Sequence, residues 1–197
     1  MKLVIEGMDG VGKTTIAKKI AEKYNIKYVD GLMNTFFRDE GFSEEEIKVL
    51  NKAIEKFYNY NNSIIRTWIM GFANLFNLMN YKDDVIIDRH CITTFFYNGD
   101  KKSCRIYKIM QYLSGKPDLV IILVANPKER IKRIKHRNIT DKDLSESIKL
   151  SYGYDKFIKI AKYLNLNYVT IQTDNLSLDE VIGKVSIYVE RYLKSGD

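Results

Sequence analysis

Nine residues near the start of the chain constrain it most: Gly7-Met8-Asp9-Gly10-Val11-Gly12-Lys13-Thr14-Thr15. They spell G-x-x-x-x-G-K-[ST]. Before them lies the apolar run Leu3-Val4-Ile5, which reads as a strand. After them, Ile16 to Tyr24 has helical periodicity. A glycine turn before any helix can imitate part of this pattern. Strand, glycine loop and helix together are the context in which it carries a mechanism. Glycines let backbone N–H groups turn toward phosphate oxygens, and the helix N-terminus adds partial positive charge. Lys13 is placed to reach a transferring phosphoryl group, and the Thr14 hydroxyl to hold Mg²⁺. A chain built around this loop is expected to bind ATP through residues 7–15.

The remaining sequence bounds that expectation. A length of 197 residues suits one domain with its own core, and 45% hydrophobic and 29% charged residues are ordinary for a globular protein. The cysteines, Cys91 and Cys104, make no metal or redox motif, so a reducing, cytoplasmic setting is expected. The N-terminus enters a strand at once, so no export signal is expected, and no apolar run reaches the roughly 18–20 residues of a membrane span. Without an export signal the three Asn-x-Ser/Thr matches, at Asn61, Asn138 and Asn175, carry no meaning. The net charge of +7 favours anionic ligands. Many lysines fall on helix faces that read as solvated, and neither a recognition helix nor an RNA-binding aromatic signature is present. Nucleotide phosphates are the expected anions, rather than nucleic acid.

Five apolar runs read as strands: Lys2 to Glu6, Lys27 to Asp30, Asp84 to Asp88, Asp118 to Val124, and Asn167 to Gln172. Helical patterns separate them. One begins at Ser43, where Glu46 completes a capping box, and runs to about Tyr60. Others run from Ser63 to Tyr81, Thr93 to Tyr97, Ser103 to Leu113, Pro127 to Arg137, Asp141 to Leu164 and Ser177 to Leu193. Alternating strands and helices predict an α/β fold of three layers, α/β/α, with a five-stranded parallel sheet covered by helices on both faces.

Chemistry is expected at the carboxyl ends of such strands. Val85-Ile86-Ile87-Asp88 ends in a carboxylate that can meet Mg²⁺ beside Thr14, or cap a turn. Arg89 follows it and can bridge donor and acceptor phosphates, or pair with Asp88. Arg130, Arg133 and Arg137 share one helix face by their spacing, as a lid edge or as a solvated basic face. Trp68, Phe72 and Phe76 recur every four residues, a spacing typical of core, although an aromatic facing a pocket can stack on a base. Arg66 and Asn74 share that helix and can reach a base edge or face water. His90 and His136 stand apart from any ligand cluster, so a zinc site is not expected.

Together these residues resemble the thymidylate kinase family of P-loop nucleoside-monophosphate kinases. Val4 to Thr15 is similar to that family's phosphate loop, including the aspartate two places after its first glycine. Asp88-Arg89-His90 resembles its Asp-Arg-Tyr/His motif. Pro117 to Leu123, with Pro127 and the basic run to Arg137, resembles its fourth strand and a small basic lid, here about residues 133–145. Lys149 to Tyr154 resembles the stretch after the lid. The resemblance implies transfer of a phosphoryl group from ATP to a nucleoside monophosphate, dTMP first, by a single-domain enzyme that forms a homodimer. It assigns Lys13 and Arg89 to catalysis, Thr14 and Asp88 to Mg²⁺, and Asp9 to the acceptor sugar. Gly10 stands where some members carry a loop arginine, so the resemblance moves the catalytic cations to Arg133 and Arg137. A phosphate oxygen is already a nucleophile, and no general base is needed.

The departures lie on the acceptor side. The family's Arg-Glu-Pro-Gly-Gly is replaced by Gly31 to Gly41, within which Arg38 is the residue left for the acceptor phosphate. Its aromatic followed by an arginine one turn later becomes Phe72, Asn74 and Phe76, with Trp68 and Arg66 before them. Its Ala-Tyr-Gln-Gly becomes Phe95-Phe96-Tyr97-Asn98-Gly99, leaving Tyr97 on the acceptor side. Two alternatives stay open from the residues. A deoxynucleoside kinase would need a carboxylate near the sugar 5′ oxygen, for which Asp30 and Asp39 are the candidates. A P-loop ATPase switching a protein or nucleic-acid interaction would need a second carboxylate to activate water.

Overall fold

A computed structural model describes residues 1–31, 33–137 and 153–194. Its centre is a five-stranded sheet in the order β2-β3-β1-β4-β5, with every pairing parallel. The strands are β1 (Lys2–Gly7), β2 (Lys27–Asp30), β3 (Val85–Asp88), β4 (Leu119–Val124) and β5 (Tyr168–Gln172). The central strands are almost wholly apolar because both of their faces are covered. Leu3 and Ile5 of β1, with Leu119, Ile121 and Leu123 of β4, face one layer of helices. Val4, Val120 and Ile122 face the other.

On the first face lie α1 (Lys13–Tyr24), through Ile16, Ala17 and Ile20, and the C-terminal helix (Leu178–Lys194), through Val181, Val185 and Val189. The other face is covered by α4 (Ser63–Asn80), α5 (Cys91–Asn98), α6 (Cys104–Ser114) and α8 (Tyr154–Tyr163). Three further helices lie above the carboxyl ends of the strands or outside the sheet: α2 (Asn34–Asp39), α3 (Glu44–Glu55) and α7 (Pro127–Arg137). The C-terminal helix is α9. The five strands fall where the sequence puts them, and the layers are the three expected.

Helix ends differ more. Lys13 already belongs to α1, so the phosphate loop runs directly into the helix. The capping box at Ser43 forms, with Ser43 and Glu46 each accepting from the other's backbone N–H, but α3 stops at Glu55 and turns replace the expected continuation to Tyr60. Helix α2 was not expected; it is six residues long and too short for periodicity to declare. The helix expected from Asp141 to Leu164 is described only as α8, and most of the lid expected at 133–145 lies outside the described residues.

Strand order sets the site. From β1 the chain crosses to β2 at the sheet edge, returns to β3, then crosses over β1 to β4. The carboxyl ends of β1 and β3 therefore border a topological switch point, where open parallel sheets bind ligands. Register aligns Ile5 with Asp88 and Asp30 with Asp88, which brings the starts of three loops to one rim.

Candidate active site

The phosphate loop leaves β1 and bends over the rim. Gly10 has φ +84°, and a Cβ there would meet the Arg130 carbonyl oxygen at 2.7 Å, so both backbone shape and the contact with α7 require glycine. Gly12 precedes α1 with no side-chain cap, and the helix has no acidic residue in its first turn. Its N-terminal N–H groups are thus left for an anion.

Lys13 is 4% exposed. Its Nζ donates to the Met8 carbonyl at 2.9 Å and lies 3.5 Å from Asp9 Oδ1. Burial lowers its pKa to about 8, against the attraction of Asp9. Asp9 is a meeting point. Its Oδ1 also pairs with Arg89 Nη2 at 3.2 Å, and its Oδ2 accepts from the Tyr97 hydroxyl at 2.8 Å. Burial works against its ionisation, but Lys13 and then Arg89 hold the carboxyl below the usual range. Arg89 itself has φ +73°, a left-handed conformation uncommon outside glycine. Among the described residues it pairs with Asp9, where the alternative reading had Asp88.

Beside this cluster, Thr14 Oγ1 donates to Asp88 Oδ2 at 2.5 Å, and the Tyr28 hydroxyl donates to the same oxygen at 3.2 Å. Asp88 Oδ1 is buried with no hydrogen-bond partner among the described residues. A hydroxyl and a carboxylate with an unused oxygen make a hard-oxygen set suited to Mg²⁺. Among the described residues no group of three His, Cys, Asp or Glu side chains gathers as a metal cluster. The second strand's exit packs tightly here as well: a Cβ on Gly31 would lie 2.2 Å from the Asp88 carbonyl oxygen.

An open cleft of about 260 Å³ is lined by Asp9, Gly10, Gly12, Lys13, Thr14, Thr15, Arg89, Arg133 and Ile134. The structure thus gathers loop, Lys13, Thr14, Arg89 and Arg133 around one space. Arg133 reaches the cleft while its guanidinium donates to Glu129, to the Thr173 hydroxyl at 3.0 Å and to the Thr173 carbonyl at 2.9 Å. Arg137 closes α7, and its side chain lies outside the described residues.

The acceptor-side candidates are more scattered. Tyr97 joins the cluster through Asp9. Arg38, on α2, pairs with Glu44 and Asp30 at the β2 rim. Arg66 ties two chain segments together by donating to the Asn98 and Tyr60 carbonyls. Trp68 and Phe72 are 43% and 51% exposed, so the helical stripe they belong to is not core; Phe76 packs on Phe36 of α2 at 4.4 Å between ring centroids.

For two residues of this site the sequence does not show the part they play: Arg130 reads there only as a lid-edge or solvated arginine, and Glu6 only as the end of a strand. Arg130 is 2% exposed and its Nε donates to the Asp9 carbonyl at 2.8 Å, so the arginine nearest the loop is not one of the two expected to act. Glu6 is fully buried directly before the loop. In each case the only available signal was a charge inside an otherwise apolar or solvated pattern, since the partner lies more than 80 residues away.

A family model described as thymidylate kinase matches residues 5–184 of the chain. A probable thymidylate kinase of Sulfolobus acidocaldarius is 30% identical over 196 residues, covering 95% of each protein. One from Saccharolobus solfataricus is 29% identical over 188 residues, covering 91% of this chain and 94% of the relative. Among solved structures, a deoxyadenosine kinase from M. mycoides with products bound superposes with a TM-score of 0.64 at 22% identity, covering 98% of this chain and all of that one. At that identity the likeness speaks to the fold alone.

The depressed Lys13 has opposite effects on stability and on phosphate binding. With a folded pKa near 8 against 10.5 for the free side chain, the folded state binds fewer protons than the unfolded one between those values. Stability contributed by this group therefore rises across that window as the grip on phosphate is lost. The kcat/KM for ATP, which reports the free enzyme, is expected to fall with an apparent pKa near 8. A profile flat to pH 10 would contradict a Lys13 whose burial outweighs the attraction of Asp9.

Proposed function

The chain belongs to the thymidylate kinase family, and from that premise we infer that it is an ATP-dependent nucleoside-monophosphate kinase whose acceptor is dTMP. The observation that carries this reading is the convergence of Lys13 and Arg89 on one oxygen of Asp9, at 3.5 and 3.2 Å. A cation of the phosphate loop and a cation suited to an acceptor phosphate thus share one carboxylate oxygen.

The reaction follows from that layout. An oxygen of the dTMP 5′-phosphate attacks the γ-phosphorus of ATP, the bond from that phosphorus to the β–γ bridging oxygen breaks, and ADP leaves. The loop amides and Lys13 hold the β- and γ-phosphates. Arg89 holds the acceptor phosphate, and Asp9 fixes Arg89 while facing the sugar. Tyr97 steadies Asp9 from the other side. Mg²⁺ bound with ATP would sit with Thr14 and Asp88 and offset phosphate charge. Arg133, at the cleft wall, and Arg137, at the end of α7, are the cations proposed to stabilise the transferring group. Arg38 is proposed to reach the acceptor phosphate by exchanging its surface pairs. Phe72, Trp68 and Arg66 are the proposed base-side residues, the first two supported by their exposure.

The same reading extends to location and assembly. Both cysteines are free, and no helix among the described residues is long and apolar enough to cross a membrane. These agree with a cytoplasmic enzyme. A homodimer would cover the exposed Ile65 and Met79 along α4. Sedimentation equilibrium should then return about twice the 23.1 kDa chain mass, and a monomer at micromolar concentration would remove the dimer.

The activity is tested with Mg-ATP against a panel of nucleosides and nucleoside monophosphates, following ADP. Turnover with dTMP and none with thymidine is expected, with kcat lowered about 100-fold or more in Lys13→Ala and Arg89→Ala. Turnover with nucleosides alone would make the chain a nucleoside kinase, and steady hydrolysis without an acceptor would make it an ATPase.

A further inference from the structure

Glu6 is the penultimate residue of β1, directly before the phosphate loop, and its side chain is fully buried. A buried carboxylate needs donors. Glu6 has four, all from one place. Its Oε1 accepts the backbone N–H groups of His90 at 2.9 Å, Ile92 at 3.0 Å and Thr93 at 3.3 Å. Its Oε2 accepts the Thr93 hydroxyl. These are the first N–H groups of α5, which no residue within the helix can satisfy. Next to them the Arg89 N–H donates to the Ile5 carbonyl at 3.0 Å. Residues 89–93 are therefore fastened to residues 5–6 of β1.

The fastening has a geometric consequence for Arg89. A left-handed arginine persists only where its surroundings hold it. Ile5 holds its N–H, and Glu6 holds the residues that follow. In that conformation its guanidinium reaches Asp9, three residues beyond Glu6. We propose that Glu6 is a positioning residue for phosphoryl transfer: by gripping His90 to Thr93 it keeps Arg89 aimed at Asp9 and the acceptor phosphate. It acts through Arg89 and touches neither nucleotide. The proposal rests on the monophosphate-kinase reading above. It adds that the link between donor loop and acceptor cation runs through a buried carboxylate as well as through Asp9.

The test compares Glu6→Ala, Glu6→Gln and wild type in steady-state kinetics on both substrates, with dTMP or whichever monophosphate the wild type uses. Glu6→Ala leaves three N–H groups unpaired, and a rise of about tenfold or more in acceptor KM is expected, with ATP KM within about threefold. Glu6→Gln keeps a carbonyl for the three N–H groups and an amide donor for the Thr93 hydroxyl. It is expected to restore acceptor KM to within about threefold of wild type. Should Glu6→Ala fail to fold, Thr93→Val removes one donor alone and is expected to raise acceptor KM about threefold without moving ATP KM. Equal losses for ATP and acceptor, or no change in acceptor KM, would overturn the positioning role. A wild type that turns over no monophosphate would overturn the kinase reading itself, and this proposal with it.

Discussion

Everything at the site turns on the Asp9 carboxylate. It is mostly buried and would be costly to ionise alone. Lys13 and Arg89 on one oxygen and Tyr97 on the other compensate that cost, and its own backbone carbonyl is held by Arg130. These partners come from α1, the β3 exit, α5 and α7. One residue therefore gathers four elements, three through its carboxylate and α7 through its backbone carbonyl. Lys13 and Arg89 are like charges that repel each other, and the Asp9 carboxylate between them offsets that repulsion.

The sheet makes this meeting possible. Because β3 pairs with β1 directly, Asp88 ends level with Ile5, and Arg89 emerges beside the first residues of the loop. Because β4 pairs with β1 on its other side, α7 starts over the loop from the opposite direction, and Arg130 comes down on Gly10. The glycine that lacks a side chain of its own is met by an arginine from another element. Positive charge is thus supplied near the loop by packing, in a chain whose loop carries no arginine.

Much of this was legible in the sequence, for reasons that differ by residue. The five strands were legible because strands buried on both faces are unbroken apolar runs, and the loop because its spacing is tied to one backbone path. Thr14 and Asp88 were legible as partners because both sit at fixed places relative to strand ends. Strand order was not, since nothing local distinguishes a β3 beside β1 from one at the edge. Helix α2 has only six residues, and α3 ends at Glu55 although its composition stays helical for another turn. Arg130 read only as one of three arginines on one face; the close approach of α7 to Gly10 separates it from Arg133. Glu6 read as the polar end of a strand, because its four donors lie more than 80 residues downstream.

The proposed reaction requires Asp9 to couple the phosphate loop to Arg89. A double-mutant cycle of Asp9→Asn and Arg89→Met on kcat/KM for dTMP measures that coupling directly. A coupling energy of about 1–3 kcal/mol is predicted, as for charged neighbours that act as one unit. Losses that add to within about 0.5 kcal/mol would mean that the two residues act independently, and would contradict the claim.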